Sequence, residues 1–227
     1  GSTFINHDKY QGRLKESTQL GAELMGDSSV KADVEMISML VAALKKAGLK
    51  EFQISLGQVQ FFRSLLLEAD LKPEVEDALR FQISNKNIFA VEEILSKVEI
   101  PEKLKNAFAA LTTLAGSAEV LEKAKQLTDN EKALEAISIL EDIYEGLKWC
   151  GCEKYVSFDL GMLSKYNYYT GIIFRAYTFG SGEAIVKGGR YDKLLSHFGR
   201  KLPSVGFAIV IDQLMLALER KEISEAK

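Results

Sequence analysis

Residues 163 to 174 read "LSKYNYYTGIIF", gathering Tyr166, Tyr168 and Tyr169 around Asn167 and a Thr-Gly pair, just ahead of an apolar run. Tyrosine presents a flat apolar face with a hydroxyl tip, so clustered tyrosines suit a small polar pocket. The stretch holds no histidine and no carboxylate, and Lys165 is its one cation. It therefore lacks the acid and base of a self-sufficient catalytic centre. Two uses stay open: an active site completed from elsewhere in the chain, or a surface that holds a molecule without changing it.

A second group lies in "STQLGAELMGD", residues 17 to 27. Alternation with period two puts Leu20, Ala22 and Leu24 on one strand face and Gln19, Gly21 and Glu23 on the other. Glycine weakens a strand interior unless something must approach the backbone closely. An amide and a carboxylate flanking an empty position could grip a small polar ligand; spacing alone equally allows a solvated strand face. The third group is "VKGGRYDKLL", where Gly188 and Gly189 permit close backbone approach and Arg190 and Asp192 follow at a strand-to-helix turn.

Other chemistries find no support. Neither a G-x-G-x-x-G nor a Walker-type loop occurs, and His7 and His197 have no triad context. Cys150 and Cys152 are the only cysteines, too few for a disulfide framework or a zinc site, and read as reduced thiols. No metal and no cofactor are expected. A net charge of −3 gives no reason for a nucleic-acid footprint. No apolar run approaches the roughly 18 residues of a membrane span and no signal peptide is visible, so a cytoplasmic protein is expected. Gly1-Ser2 reads as a leftover of expression, which would make the chain a fragment whose natural beginning is missing.

The elements that must position these groups are mixed. After the strand carrying Gln19 and Glu23, Val34, Ile37, Leu40, Val41 and Leu44 recur at helical spacing, with Gly48 as a stop. "EFQISLG" alternates as a strand and "VQFFRSLLLEA" follows as a helix. Residues 72–150 read as consecutive amphipathic helices, with Pro73 and Pro101 at first-turn positions. The sheet resumes with "YVSFDLGM", then "YYTGIIFRAYTF" and "GEAIVKGG" as a hairpin joined at "GSG". "YDKLLSHFG" is a short helix, "SVGFAIVI" a strand, and "DQLMLALERK" a helix with Asp212 as N-cap. Hairpin-linked strands with segregated helices indicate an α+β fold, with core segments 3–71 and 151–222 around a helical insert or subdomain at 72–150.

The order of "STQLGAELMGD", a helical stretch, "YYTG", "GGRYDKLL" and "PSVGFAIVIDQLM" resembles the class II histidyl-tRNA synthetase catalytic domain. It resembles still more closely that family's catalytically silent branch, the ATP phosphoribosyltransferase regulatory subunits, through "QGRLKESTQLGAELMGD" and "FQISLGQVQFF". The resemblance covers the chain from Phe4 onward. It implies a class II aminoacyl-tRNA synthetase-like antiparallel sheet flanked by helices, with the first class-defining motif lying upstream of Thr3.

The resemblance also gives the departures a meaning. Synthetases hold ATP with arginines in their second and third motifs and use another ahead of the tyrosine pair. In this chain those positions carry Ile5, Gln213 and Ser164. A charge-assisted hydrogen bond to phosphate contributes roughly 1.5–3 kcal/mol, so three absences remove on the order of 6 kcal/mol, about four decades of affinity or rate. Amino-acid activation is expected to be lost. Gln19 and Glu23 match positions that contact bound histidine and Tyr169 matches a tyrosine near its imidazole, with Tyr168 beside them and Gly21, Gly188, Gly189 and Arg190 shaping the pocket. The implied role is non-catalytic: a hetero-oligomer with short-form ATP phosphoribosyltransferase catalytic subunits, L-histidine as effector, no tRNA and no membrane. Two alternatives stay open, a diverged histidine-activating enzyme and a scaffold that does not sense histidine.

Overall fold

The alternation in "ESTQLGAELM" becomes a strand, β2 (Glu16–Met25), whose apolar residues Ala22 and Leu24 pack against the core while Gln19, Gly21 and Glu23 share the opposite face. The computed structural model describes residues 1–5, 15–164, 168–179 and 181–220. β1 (Ser2–Phe4) pairs antiparallel with β2. Helix α1 (Val30–Lys46) follows, then β3 (Gln53–Gln58) and α2 (Val59–Ala69). The Gln58 side chain accepts from the Gln60 N–H and starts α2; Asp70 in the left-handed region ends it.

Residues 72–150 form α3 (Pro73–Ser84), α4 (Ile88–Ser96), α5 (Glu102–Ala110), the two-residue strand β4 (Ala115–Gly116), α6 (Glu119–Gln126) and α7 (Glu131–Trp149). Pro73 occupies the first turn of α3, whereas Pro101 sits one step earlier than expected, as the N-cap of α5. These helices share one continuous hydrophobic cluster with the sheet, running from Leu79 and Phe108 through Ile137 and Leu140 to Ile54, Phe158 and Phe174.

The chain then returns to the sheet with β5 (Val156–Asp159), β6 (Ile172–Tyr177), β7 (Val186–Arg190) and β8 (Ser204–Val210). The strand order is β1-β2-β8-β7-β6-β3-β5-β4. Every neighbour pair is antiparallel except β3 with β5. This is the expected α+β class. Alternate residues of the central strands, among them Leu56, Phe174, Val186 and Phe207, bury one sheet face in the core that α1, α2 and α7 also build. The other face carries the residues of interest.

Strand β8 runs straight into α8 (Ile211–Arg220), which corrects the reading of Asp212 as an N-cap. Asp212 lies in the first turn, and its carboxylate accepts from the Thr18 N–H at 2.9 Å. With no loop before the helix there is no half-in residue for it to be, and the carboxylate ties α8 to β2 instead. Cys150 is exposed and Cys152 buried, and both are free. None of the described helices is long and apolar enough to cross a membrane.

Candidate functional site

Strand register builds the site. Glu23 on β2 pairs with Gly206 on β8, Gly206 with Gly189 on β7, Gly189 with Ile173 on β6, and Ile173 with Gly57 on β3. All five lie in one row on the open face, and three are glycine. The glycines of this row are covered by neighbouring side chains: the Glu23 carboxylate lies over Gly206, the Tyr169 ring over Gly189 and Met162 beside Gly57, with Ile173 buried against Val59 and Met162. A Cβ on Gly206 would overlap the Glu23 carboxylate, and one on Gly189 would sit 2.6 Å from Tyr169 Cε1 and 2.7 Å from the Ile172 carbonyl oxygen. The glycines let Glu23 and Tyr169 lie down onto the sheet.

Three tyrosines stand over this row. Tyr168 and Tyr169 face each other with ring centroids 4.3 Å apart, and Tyr191 meets Tyr168 edge-on at 6.0 Å. The Tyr191 hydroxyl donates to the Glu23 carboxylate. Burial pushes the Tyr169 phenol well above its ordinary range, with Tyr168 adding to the effect. Burial, then the Glu23 hydrogen bond, does the same for Tyr191. Both phenols are thus neutral hydrogen-bonding groups rather than nucleophiles.

The tyrosine segment is held from two sides. Arg63 on α2 donates to the Tyr169 carbonyl at 2.9 Å, and Gln60 Nε2 donates to the Thr170 carbonyl at 2.8 Å. Thr170 Oγ1 donates to Asp192 at 3.1 Å, and the Thr170 N–H donates to the Arg190 carbonyl at 2.8 Å. The pocket wall is therefore fixed to a helix and to the strand-to-helix turn.

Of the expected residues, the structure brings Glu23, Gly21, Gly189, Tyr168 and Tyr169 to this face, with Gln19 one pleat beyond Gly21. Gly188 and Arg190 turn the other way. A Cβ on Gly188 would run into the Phe174 ring on the core side. Arg190 is buried and makes four hydrogen bonds there: Nε donates to Asp33 at 2.9 Å, Nη2 to the Ser29 carbonyl, and Nη1 to the Asp27 carbonyl and Asp192, while Nη2 also lies 2.8 Å from the Asp33 carboxylate in an ion pair. It shapes the pocket only indirectly, by fixing the turn that carries Tyr191. Burial outweighs the guanidinium's attraction and pushes the Asp33 carboxyl up to about 6.

Tyr191 and Gly206 were missed. The signal for Tyr191 was present, because it follows Gly189 at the two-residue spacing that defines a strand face. Lys165, Tyr166 and Asn167 lie outside the described residues. Ile5 is exposed, and Gln213 on α8 and Ser164 are half-buried. No cluster that could hold a metal ion occurs among the described residues.

The family profile described as Histidyl-tRNA synthetase matches residues 1–214. The chain belongs to the histidyl-tRNA synthetase family. It is 42% identical over 221 residues to the ATP phosphoribosyltransferase regulatory subunit of Clostridium acetobutylicum, covering 96% of this chain and 54% of that protein. It is 43% identical over 220 residues to the one from Ruminiclostridium cellulolyticum, covering 97% and 52%. A crystal structure from Bacillus halodurans, described as an ATP phosphoribosyltransferase regulatory subunit/histidyl-tRNA synthetase, superposes with a TM-score of 0.87 at 35% identity, covering 96% of this chain and 57% of the other. The chain thus spans about half the length of the relatives it matches. The synthetase-like fold and the likeness to the regulatory subunits both stand.

Proposed function

We propose that this chain is the synthetase-like part of an ATP phosphoribosyltransferase regulatory subunit, which holds L-histidine without activating it. One observation carries the reading. Glu23, Tyr168, Tyr169 and Tyr191 stand together over the glycine row, a set able to grip a small amino acid, while the three positions that would carry ATP-binding and catalytic arginines hold Ile5, Gln213 and Ser164.

Each part has a physical role. The Glu23 carboxylate can accept hydrogen bonds from an ammonium or a ring N–H, the strong charge-assisted kind. Tyr168 and Tyr169 offer flat faces to an imidazole. Nothing at positions 5, 164 or 213 can neutralise a triphosphate. The chain would join short-form catalytic subunits in the cytoplasm, and the chemistry, ATP with phosphoribosyl pyrophosphate, would belong to the partner. We assign it no cofactor and no tRNA. Feedback requires histidine to bind two states of the assembly unequally, because a ligand with equal affinity for both shifts nothing.

The test is reconstitution. The protein is mixed with a short-form catalytic subunit, and phosphoribosyl transfer is followed with and without L-histidine. Activity should rise on mixing and fall when histidine is added. No change on mixing would refute the regulatory role; activation without histidine sensitivity would leave only a scaffold.

A further inference from the structure

Two cations on the two arms of one hairpin meet on the open sheet face. Arg175 on β6 is the register partner of Lys187 on β7. Both stand one pleat along from the glycine row, on the same face, because each is two residues from a member of that row, Ile173 and Gly189. Directly opposed residues in an antiparallel pair have Cβ atoms roughly 5 Å apart, where like charges destabilise the sheet. Lys187 is exposed and Arg175 half-buried, and neither forms an ion pair with any described carboxylate. The row continues through Ala208 to Gly21 on one side, and through Ser55 to Ser157 on the other. Small side chains leave room above the cations, and the serine hydroxyls add donors.

The pair is also coupled to the tyrosines. The Arg175 charge reaches Tyr169, where it favours the phenolate against the larger opposing effect of burial. Successive residues on one strand face are roughly 6.7 Å apart and adjacent strands about 4.8 Å. The Glu23 carboxylate lies over Gly206, and Lys187 is one strand and one pleat from Gly206, roughly 8 Å away, with Arg175 one strand further, so a single amino acid met by these long side chains spans the gap.

We propose that Arg175 and Lys187 form an oxyanion-binding subsite of this face, taking a carboxylate or a phosphate on a small ligand whose other end lies against Tyr169 and Glu23. A zwitterionic amino acid gripped by Glu23 still has a carboxylate to neutralise, and this pair is the described cation cluster on that face able to do so. The identity of the ligand rests on the histidine-holding reading; the subsite itself does not.

The test uses the 227-residue chain with Arg175→Gln and Lys187→Gln, singly and together, titrated calorimetrically with L-histidine, with histamine, which lacks the carboxylate, and with inorganic pyrophosphate. For a carboxylate ligand, the double variant should lose L-histidine affinity at least tenfold. Its histamine affinity should be unchanged, and its unliganded thermal midpoint should be equal or higher because an opposed like-charge pair is gone. Pyrophosphate binding that the double variant loses would identify phosphate as the source. If L-histidine binds wild type and double variant alike but fails with Glu23→Ala, the histidine reading survives and the subsite falls, unless the double variant loses pyrophosphate binding. If L-histidine does not bind the wild type but pyrophosphate binding is lost in the double variant, the reverse holds. Equal binding of every probe to both proteins, or none to either, overturns the subsite.

Discussion

Gly206→Ala separates the site from the fold. The added methyl would overlap the Glu23 carboxylate, and its three nearest atoms all belong to that exposed side chain, whose end can swing into solvent. The fold should hardly notice: Glu23 is exposed, and a hydrogen bond there contributes about 1 kcal/mol or less, so the thermal midpoint should fall by no more than roughly 4 °C. The site should notice strongly. Displacing the carboxylate breaks its hydrogen bond with Tyr191 and removes the anionic acceptor from the site. A charge-assisted hydrogen bond contributes roughly 1.5–3 kcal/mol, which is about a ten- to hundredfold loss of ligand affinity. Equilibrium dialysis with radiolabelled L-histidine reads that loss, and thermal unfolding reads the control. Gly189→Ala supplies the contrast, because its methyl would meet the Tyr169 ring and the fixed Ile172 carbonyl, so it should lower the midpoint itself. Wild-type histidine affinity in a folded Gly206→Ala protein would refute the placement of the ligand against Glu23.

Three further outcomes follow from particular groups. Arg190→Met leaves the buried Asp33 carboxylate unpaired and frees the carbonyls of Asp27 and Ser29, so it should cost about 3–5 kcal/mol in urea unfolding, with Asp33→Asn in the same chain recovering part of it. The phenols of Tyr169 and Tyr191 are held above their ordinary range, so folding favours their neutral forms. Their stabilising effect is complete below pH 10 and lost as pH rises beyond it, and absorbance at 295 nm should show one late-ionising tyrosine fewer in Tyr191→Phe than in wild type. Histidine-dependent pyrophosphate exchange should be undetectable; measurable exchange would make the chain an activating enzyme.

Much of the fold was legible because the periods are strong. Alternation in "ESTQLGAELM" fixed which face Glu23 shares with Gln19, and 3.6-residue spacing marked α1 and α7. What sequence could not give was pairing between strands. Nothing in "GIIFRAY" and "AIVKGGR" says that Arg175 lies opposite Lys187, because register is set by turns and by the buried face rather than by those side chains. The same gap hid Gly206, whose meaning is its place under Glu23. Arg190 misled for a different reason: in a strand, its neighbour Tyr191 faces the glycine row while Arg190 faces the core, so a motif read as one unit splits between two faces. Asp212 was misplaced because its carboxylate bonds to a strand far away in sequence.

Under the proposed function Glu23 anchors L-histidine. Isothermal titration of L-histidine into the complex with the catalytic subunit, wild type beside Glu23→Ala, measures that anchoring. Saturable binding that weakens at least tenfold in the variant is the predicted result. Equal binding by the two proteins would contradict it.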